Sequence, residues 1–160
     1  MSAKILIFIV SSLLMSCAST PLFDDSQVSL SLTPQMVIAE PDNNRGKNVL
    51  WGGTILEITN LKNSTQIEVL AYSLRSSYRP KIKGKPLGRF IVLQQGYLEP
   101  TEYAQGKLLT VLGGVSDIQA GNVGESTYLF PVINAQQLKL WTVKNEKYRS
   151  SFHIGLGVRL

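Results

Sequence analysis

The chain has one cysteine and one histidine in 160 residues, and only 17% of its positions are charged. A single thiol, Cys17, excludes an intramolecular disulfide. A single imidazole, His153, excludes a His–His metal site and leaves no spare partner for a Ser-His-Asp arrangement. That histidine reads as a solvent-facing strand residue. Apolar runs are short too: Ile5 to Leu14 (ILIFIVSSLL) would rise about 15 Å as a helix, half the thickness of a bilayer core. No internal repeat and no low-complexity tract is visible. Gly84-Lys85-Pro86-Leu87-Gly88 lacks the spacing of a phosphate loop. Glu57 and Glu68 would form a carboxylate pair if their strands were neighbours, a spacing the sequence does not fix. No catalytic residue, metal site or cofactor motif emerges, and the chain is expected not to be an enzyme.

What is present points to β-structure. Thirteen glycines and seven prolines, with many Thr, Val, Ile and Tyr, favour an all-β fold, and the length suits one domain with or without a tether. The formal charge is +5; Lys4 is the only charge before Cys17, so beyond it 15 basic residues face 11 acidic ones, a balance of +4. That excess gives mild attraction to anionic surfaces. No cluster of basic residues accompanies a nucleic-acid reader motif, and nucleic acid is not expected as a partner.

The N-terminus reads as an export signal: a short charged start (Met1 to Lys4), an apolar stretch, then small residues. Three fates of Cys17 compete: a chance residue near a cleavage site, an intermolecular disulfide, and lipidation. Leu14-Met15-Ser16-Cys17 resembles the bacterial lipobox, with a hydrophobic residue three places before the cysteine and a small one just before it. That resemblance implies cleavage before Cys17, a diacylglyceryl group on its sulfur and acylation of the new amine. Each buried CH2 contributes about 0.8 kcal/mol, and one chain binds only marginally, so several chains anchor firmly without a membrane-spanning segment. By the sorting pattern of such lipoproteins, Ala18 rather than Asp after the cysteine implies the outer membrane.

Ser19 to Asn44 is rich in Ser, Thr, Pro, Asp and Asn and reads as a tether. It holds one helical possibility, Thr33 to Ala39, with Thr33 as N-cap and Pro34 in the first turn, stopped by Pro41. Val28 to Leu32 alternates and would otherwise make a short strand. From Val49 onward the pattern is strand upon strand. Val49–Thr59, Thr65–Leu74, Arg89–Gln95, Lys107–Ile118, Tyr128–Ile133 and Leu138–Val143 are read as extended, with a bend near Asn134 and a glycine turn at Gln119–Ser126. Tyr97–Gln105 reads as a helical turn opened by Pro100. Five to six strands, one short helix between the third and fourth, and glycine-kinked first and fourth strands match a small OB-like Greek-key barrel; a simple antiparallel sandwich is the alternative.

Gly52-Gly53-Thr54-Ile55, Gly88-Arg89-Phe90, Gly96-Tyr97-Leu98-Glu99-Pro100 with Tyr103, Leu109-Thr110-Val111-Leu112-Gly113, and Tyr128 through Trp141 together resemble the Slp family, the starvation-inducible outer membrane lipoproteins of Gram-negative bacteria. The likeness spans about residues 47 to 143, in addition to the lipobox. It departs at Glu99, where the family pattern has Asp, and after Trp141. The resemblance implies a lipid-anchored domain on the periplasmic side, linked to envelope stress or stationary phase, with no catalytic residue.

Two exposed features remain. Arg75, Arg79, Lys81, Lys83, Lys85 and Arg89 fall within fifteen residues with no acid between them. They read as a solvated loop or as a contact for anionic groups such as lipid phosphates or lipopolysaccharide. Ser151–Leu160 alternates cleanly, with Phe152, Ile154, Leu156, Val158 and Leu160 on one side. It reads as a sixth strand of its own barrel or as an edge that adds to an envelope protein. The expected organisation is a signal peptide (1–16), a lipidated N-terminus and tether (17–44), an OB-like barrel (45–143), and a linker with an amphipathic strand (144–160). The expected role is non-enzymatic envelope maintenance or stress response through envelope or protein contacts. The alternative is a periplasmic binding module for a small or polyanionic ligand.

Overall fold

The computed structural model describes residues 22–142. The signal peptide, Cys17 and the alternating segment Ser151–Leu160 lie outside the described residues. Five strands, β1 (Asn48–Asn60), β2 (Ser64–Tyr72), β3 (Arg89–Gln95), β4 (Leu108–Val123) and β5 (Ser126–Trp141), close into a barrel in the order β1-β2-β3-β5-β4. All neighbours are antiparallel except β3 and β5, which run parallel through Ile91–Val132, Val92–Ile133 and Leu93–Asn134. This is the expected all-β OB-like barrel.

The alternation read in β2 appears as burial: Thr65, Ile67, Val69 and Ala71 point inward while their neighbours are half exposed. Val49, Trp51, Ile55, Phe90, Val92, Leu109, Val111 and Ile133 complete the interior. Trp51 meets Phe90 edge-on, with ring centroids 5.2 Å apart. The glycine pairs do what the sequence suggested, for a steric reason. Gly52 and Gly53 pair with Tyr72 and Ala71 of β2 on one side and with Thr110 and Leu109 of β4 on the other. A Cβ on Gly53 would collide with the carbonyl oxygen of Leu70, and one on Gly113 with that of Asn134. Bare backbone at these positions lets each strand bend into close contact with its neighbours.

Three boundaries differ from the sequence reading. Tyr97–Gln105 forms turns rather than a helix. The N–H groups of Glu102 and Tyr103 both donate to the Glu99 carbonyl at 3.0 Å, and Gly96 and Gly106, at φ 82° and 86°, bend the chain on either side before a helix can grow. β4 continues through the expected glycine turn to Val123, and the hairpin reverses only at Gly124, φ 60°. β5 is one strand rather than two, because register shifts between Leu112 and Gly113 and between Val115 and Asp117 absorb the expected bend near Asn134.

The helix lies before β1 instead. α1 (Pro34–Ala39) starts as expected, with Thr33 Oγ1 accepting from the Met36 N–H at 3.3 Å, and α2 (Pro41–Asn44) follows. Val37 of α1 is fully buried in the barrel core, as Leu32 nearly is. Phe23 is 1% exposed against Leu50 and Leu112 on the outside of the wall. From Phe23 onward, the stretch read as a tether is therefore packed on the barrel, because its few apolar residues find partners there.

Candidate functional site

The two ends of the barrel are closed differently. At one end, the short β1–β2 turn and the β3–β4 connection tie together through Thr65. Its hydroxyl lies 2.5 Å from Asn60 Oδ1 and 2.9 Å from the Gly96 carbonyl, and it accepts from the Leu98 N–H at 3.0 Å. The other end carries α1, the segment before it, and the long β2–β3 loop with its basic residues.

That loop is shaped by local bonds. Leu74 bridges to Pro80, the Arg75 N–H donates to the Arg79 carbonyl at 2.9 Å, and the Tyr78 N–H donates to the Arg75 carbonyl at 2.8 Å. Tyr78 is the one non-glycine residue among those described with a positive φ, 64°, a conformation that needs outside support. It has three supports. Thr110 Oγ1 donates to its carbonyl at 2.8 Å, its hydroxyl donates to Asp25 Oδ2 at 3.0 Å, and its ring stands edge-on to Phe23 at 5.5 Å. The Asp25 carboxylate also holds the phenol above its ordinary pKa, so the donor proton stays in place.

The loop cations are unequally placed. Arg75, Lys81, Lys83 and Lys85 are exposed. Arg79 is half buried, its guanidinium 6.0 Å from the centre of the Trp141 ring, which Lys139 approaches at 5.8 Å. Trp141 is itself fixed by donating to Thr110 Oγ1 at 2.9 Å. Arg89 stands apart. As the first residue of β3 it meets Glu68 of β2 at 2.7 Å, with both side chains partly buried, so its charge is already matched. Glu57 and Glu68 are register partners across β1 and β2, but Glu57 is exposed and Glu68 is bound to Arg89. No group of His, Cys, Asp and Glu among the described residues is placed to hold a metal.

Beside the loop lies a partly open cavity of about 620 Å³, walled by Leu30, Leu32, Leu50, Trp51, Leu74 and Leu87, with Tyr72 and Tyr78 beside them. Its polar lining includes Asp25, Arg75, Ser73, Ser76 and Thr33. Trp51 does not offer its indole N–H to the cavity, because that group donates to the Leu32 carbonyl at 2.7 Å. Trp51→Phe strands that buried carbonyl and is expected to lower stability by about 1–3 kcal/mol, read as a fall in the urea midpoint. An unchanged midpoint would show that the bond adds nothing.

The sequence reading missed one wall of this cavity. Asp25, Leu30 and Leu32 sit in the stretch taken for a tether, where the alternation from Val28 to Leu32 was the one visible signal. That stretch is no strand: Leu32 turns inward and Leu30, 65% exposed, stands at the rim.

Comparison with known proteins gives a consistent picture. An uncharacterized protein of Haemophilus influenzae is 36% identical over 98 residues, which cover 61% of this chain and 53% of that protein. The outer membrane protein Slp of Escherichia coli is 27% identical over 146 residues, 90% of this chain and 77% of that one. The uncharacterized lipoprotein YeaY of the same organism is 28% identical over 133 residues, 81% and 67% of the two chains. The chain thus matches about half the length of the first of these relatives. No solved structure matches it. A family model matches residues 14–155, a span that takes in Cys17 and the whole barrel, and the chain belongs to the outer membrane lipoprotein Slp family.

Proposed function

We propose that the protein is fastened to the outer membrane by lipid on Cys17, with its barrel in the periplasm. Its role is non-enzymatic, in envelope maintenance or the response to stress or stationary phase, through contacts with the envelope. One observation carries the part of this reading that concerns contact: Phe23 is docked on the barrel next to Tyr78 of the basic loop. Between Cys17 and Phe23 the chain reaches at most about 20 Å even when fully extended. The loop end of the barrel is therefore held close to the bilayer, where Arg75, Arg79, Lys81, Lys83 and Lys85 meet anionic phospholipid headgroups. Each cation near such a surface is worth about 1 kcal/mol, and the attraction fades within a Debye length. Arg89, matched by Glu68, contributes less to this contact than the exposed loop residues.

The test uses the full chain carrying Cys17→Ser, so that headgroup contact is read without the anchor. Binding to vesicles rich in anionic phospholipid is expected to weaken as salt rises. Changing Arg79, Lys81, Lys83 and Lys85 together to Gln is expected to lower it at least tenfold, from the same per-cation contribution. Equal binding by both proteins would end the headgroup proposal.

A second reading, the periplasmic binding module, is favoured by the cavity. Its volume of about 620 Å³ lies in the range of small-ligand sites, and aromatic and apolar walls with a few polar groups are usual there.

A further inference from the structure

We infer that the cavity beside the basic loop binds a single acyl chain carrying an anionic head, a fatty acid or a lysophospholipid, with the anion on Arg75. The inference rests on the binding-module reading and narrows it. The walls are leucine, tryptophan and tyrosine, and several polar groups near them are already engaged. The Trp51 indole donates to Leu32, the Tyr78 hydroxyl to Asp25, and Thr33 Oγ1 takes the Met36 N–H. A sugar or nucleobase would have to leave its own polar groups unpaired against leucine, at a cost for each. A hydrocarbon chain loses nothing there and gains by leaving water.

The polar residues select the head. Arg75 is exposed and makes no ion pair among the described residues, while Ser73 and Ser76 stand beside it in the lining. Asp25 is the one acidic residue of the lining, and it disfavours a polyanion. One negative charge suits this mixture, as does a zwitterion whose ammonium meets Asp25. Leu30, exposed at the rim, gives an incoming chain its first apolar contact. Such lipids are at hand, since the same end of the barrel is the one held near the bilayer.

The full chain carrying Cys17→Ser, which has no lipid of its own to fill the cavity, is titrated calorimetrically with dodecanoate, decanoate, lauroyl lysophosphatidylethanolamine, dodecyl maltoside and 8-anilinonaphthalene-1-sulfonate, each below micelle formation. Dodecanoate is expected to bind one to one, about tenfold more tightly than decanoate for its two extra CH2 groups. It should also bind at least tenfold more tightly than dodecyl maltoside, which has the same chain without the charge. Arg75→Gln is expected to remove most of the preference for charge and leave the chain-length ratio intact. Leu30→Asp, at a position exposed enough to spare the fold, is expected to abolish binding. Tighter lysophosphatidylethanolamine binding that is lost in Asp25→Asn marks a phospholipid source, whereas tighter dodecanoate binding that survives Asp25→Asn marks a free acid. If the naphthalene sulfonate binds, and neither acyl ligand does, the acyl inference is overturned while the binding module stands. If no ligand binds, or Leu30→Asp changes nothing for any of them, both are overturned.

Discussion

Cys17→Ser is expected to empty the outer membrane fraction of this protein almost completely. One acyl chain gives an association constant of only about 10⁴ M⁻¹, and two or more are needed for stable anchoring. The headgroup contact proposed for the loop is salt-dependent and too weak to replace them. Fractionation of envelopes, with mass measurement of the mature N-terminus, reads both the location and its cause. A parent protein without fatty acid, or a serine variant that fractionates as the parent does, would overturn the anchor. The matching of the family model across residues 14–155 covers this cysteine, and Phe23, packed on the barrel wall, follows it by six residues.

Gly53→Ala is expected to be the most damaging single methyl in the barrel. β1 at this point is paired on both sides at once, to Ala71 and to Leu109. The added carbon meets the Leu70 carbonyl, which belongs to the backbone of β2 and cannot swing aside as a side chain would, and Val69 Cγ1 stands 2.9 Å away as well. Overpacking typically costs about 1–3 kcal/mol. With both strands pinned, the loss is expected at or above the top of that range, a large part of the about 5–15 kcal/mol that holds a domain together. Gly114→Ala is the control: its nearest contact is Asn48 Oδ1 at 3.6 Å, so it is expected to change the urea midpoint little. Similar midpoints for the two variants would mean that β1 is free to move away from β2.

The barrel was legible because its evidence is local and repetitive. Alternation in β2 and the glycine pairs in β1 and β4 are written in consecutive residues, although the sterics that require the glycines come from the neighbouring strands, at Leu70 of β2 and Asn134 of β5. The hairpin between β4 and β5 was harder to read. Gln119 to Ser126 carries two glycines, and composition cannot tell that Gly121 lies within a strand while Gly124 turns it; the long antiparallel pairing decides that. The basic loop was visible as charge, but the matching of Arg89 by Glu68 depends on β2–β3 register. The cavity was least legible. Its walls come from the segment before α1, from β1 and from the β2–β3 loop, and the burial of Phe23, Leu32 and Val37 depends on surfaces formed elsewhere in the chain. Tyr78 gives no sequence sign of its positive φ, since it is imposed by Thr110 and Asp25 from distant positions.

The parallel seam between β3 and β5 has a consequence for how the molecule is made. The β4–β5 hairpin zips from Val123–Ser126 out to Leu108–Trp141, all between neighbours in sequence, whereas the seam joins Ile91–Leu93 to residues some forty positions later through a handful of pairs. The β1–β4 pairs, from Asn48–Gly114 to Thr54–Leu108, bridge still longer separations, and non-local pairings of both kinds are slow to form. Until they form, β3 and β5 both offer bare backbone, and a newly exported molecule is open to pairing with its siblings. Ring closure is thus the step that leaves no bare strand edge on the five-stranded wall.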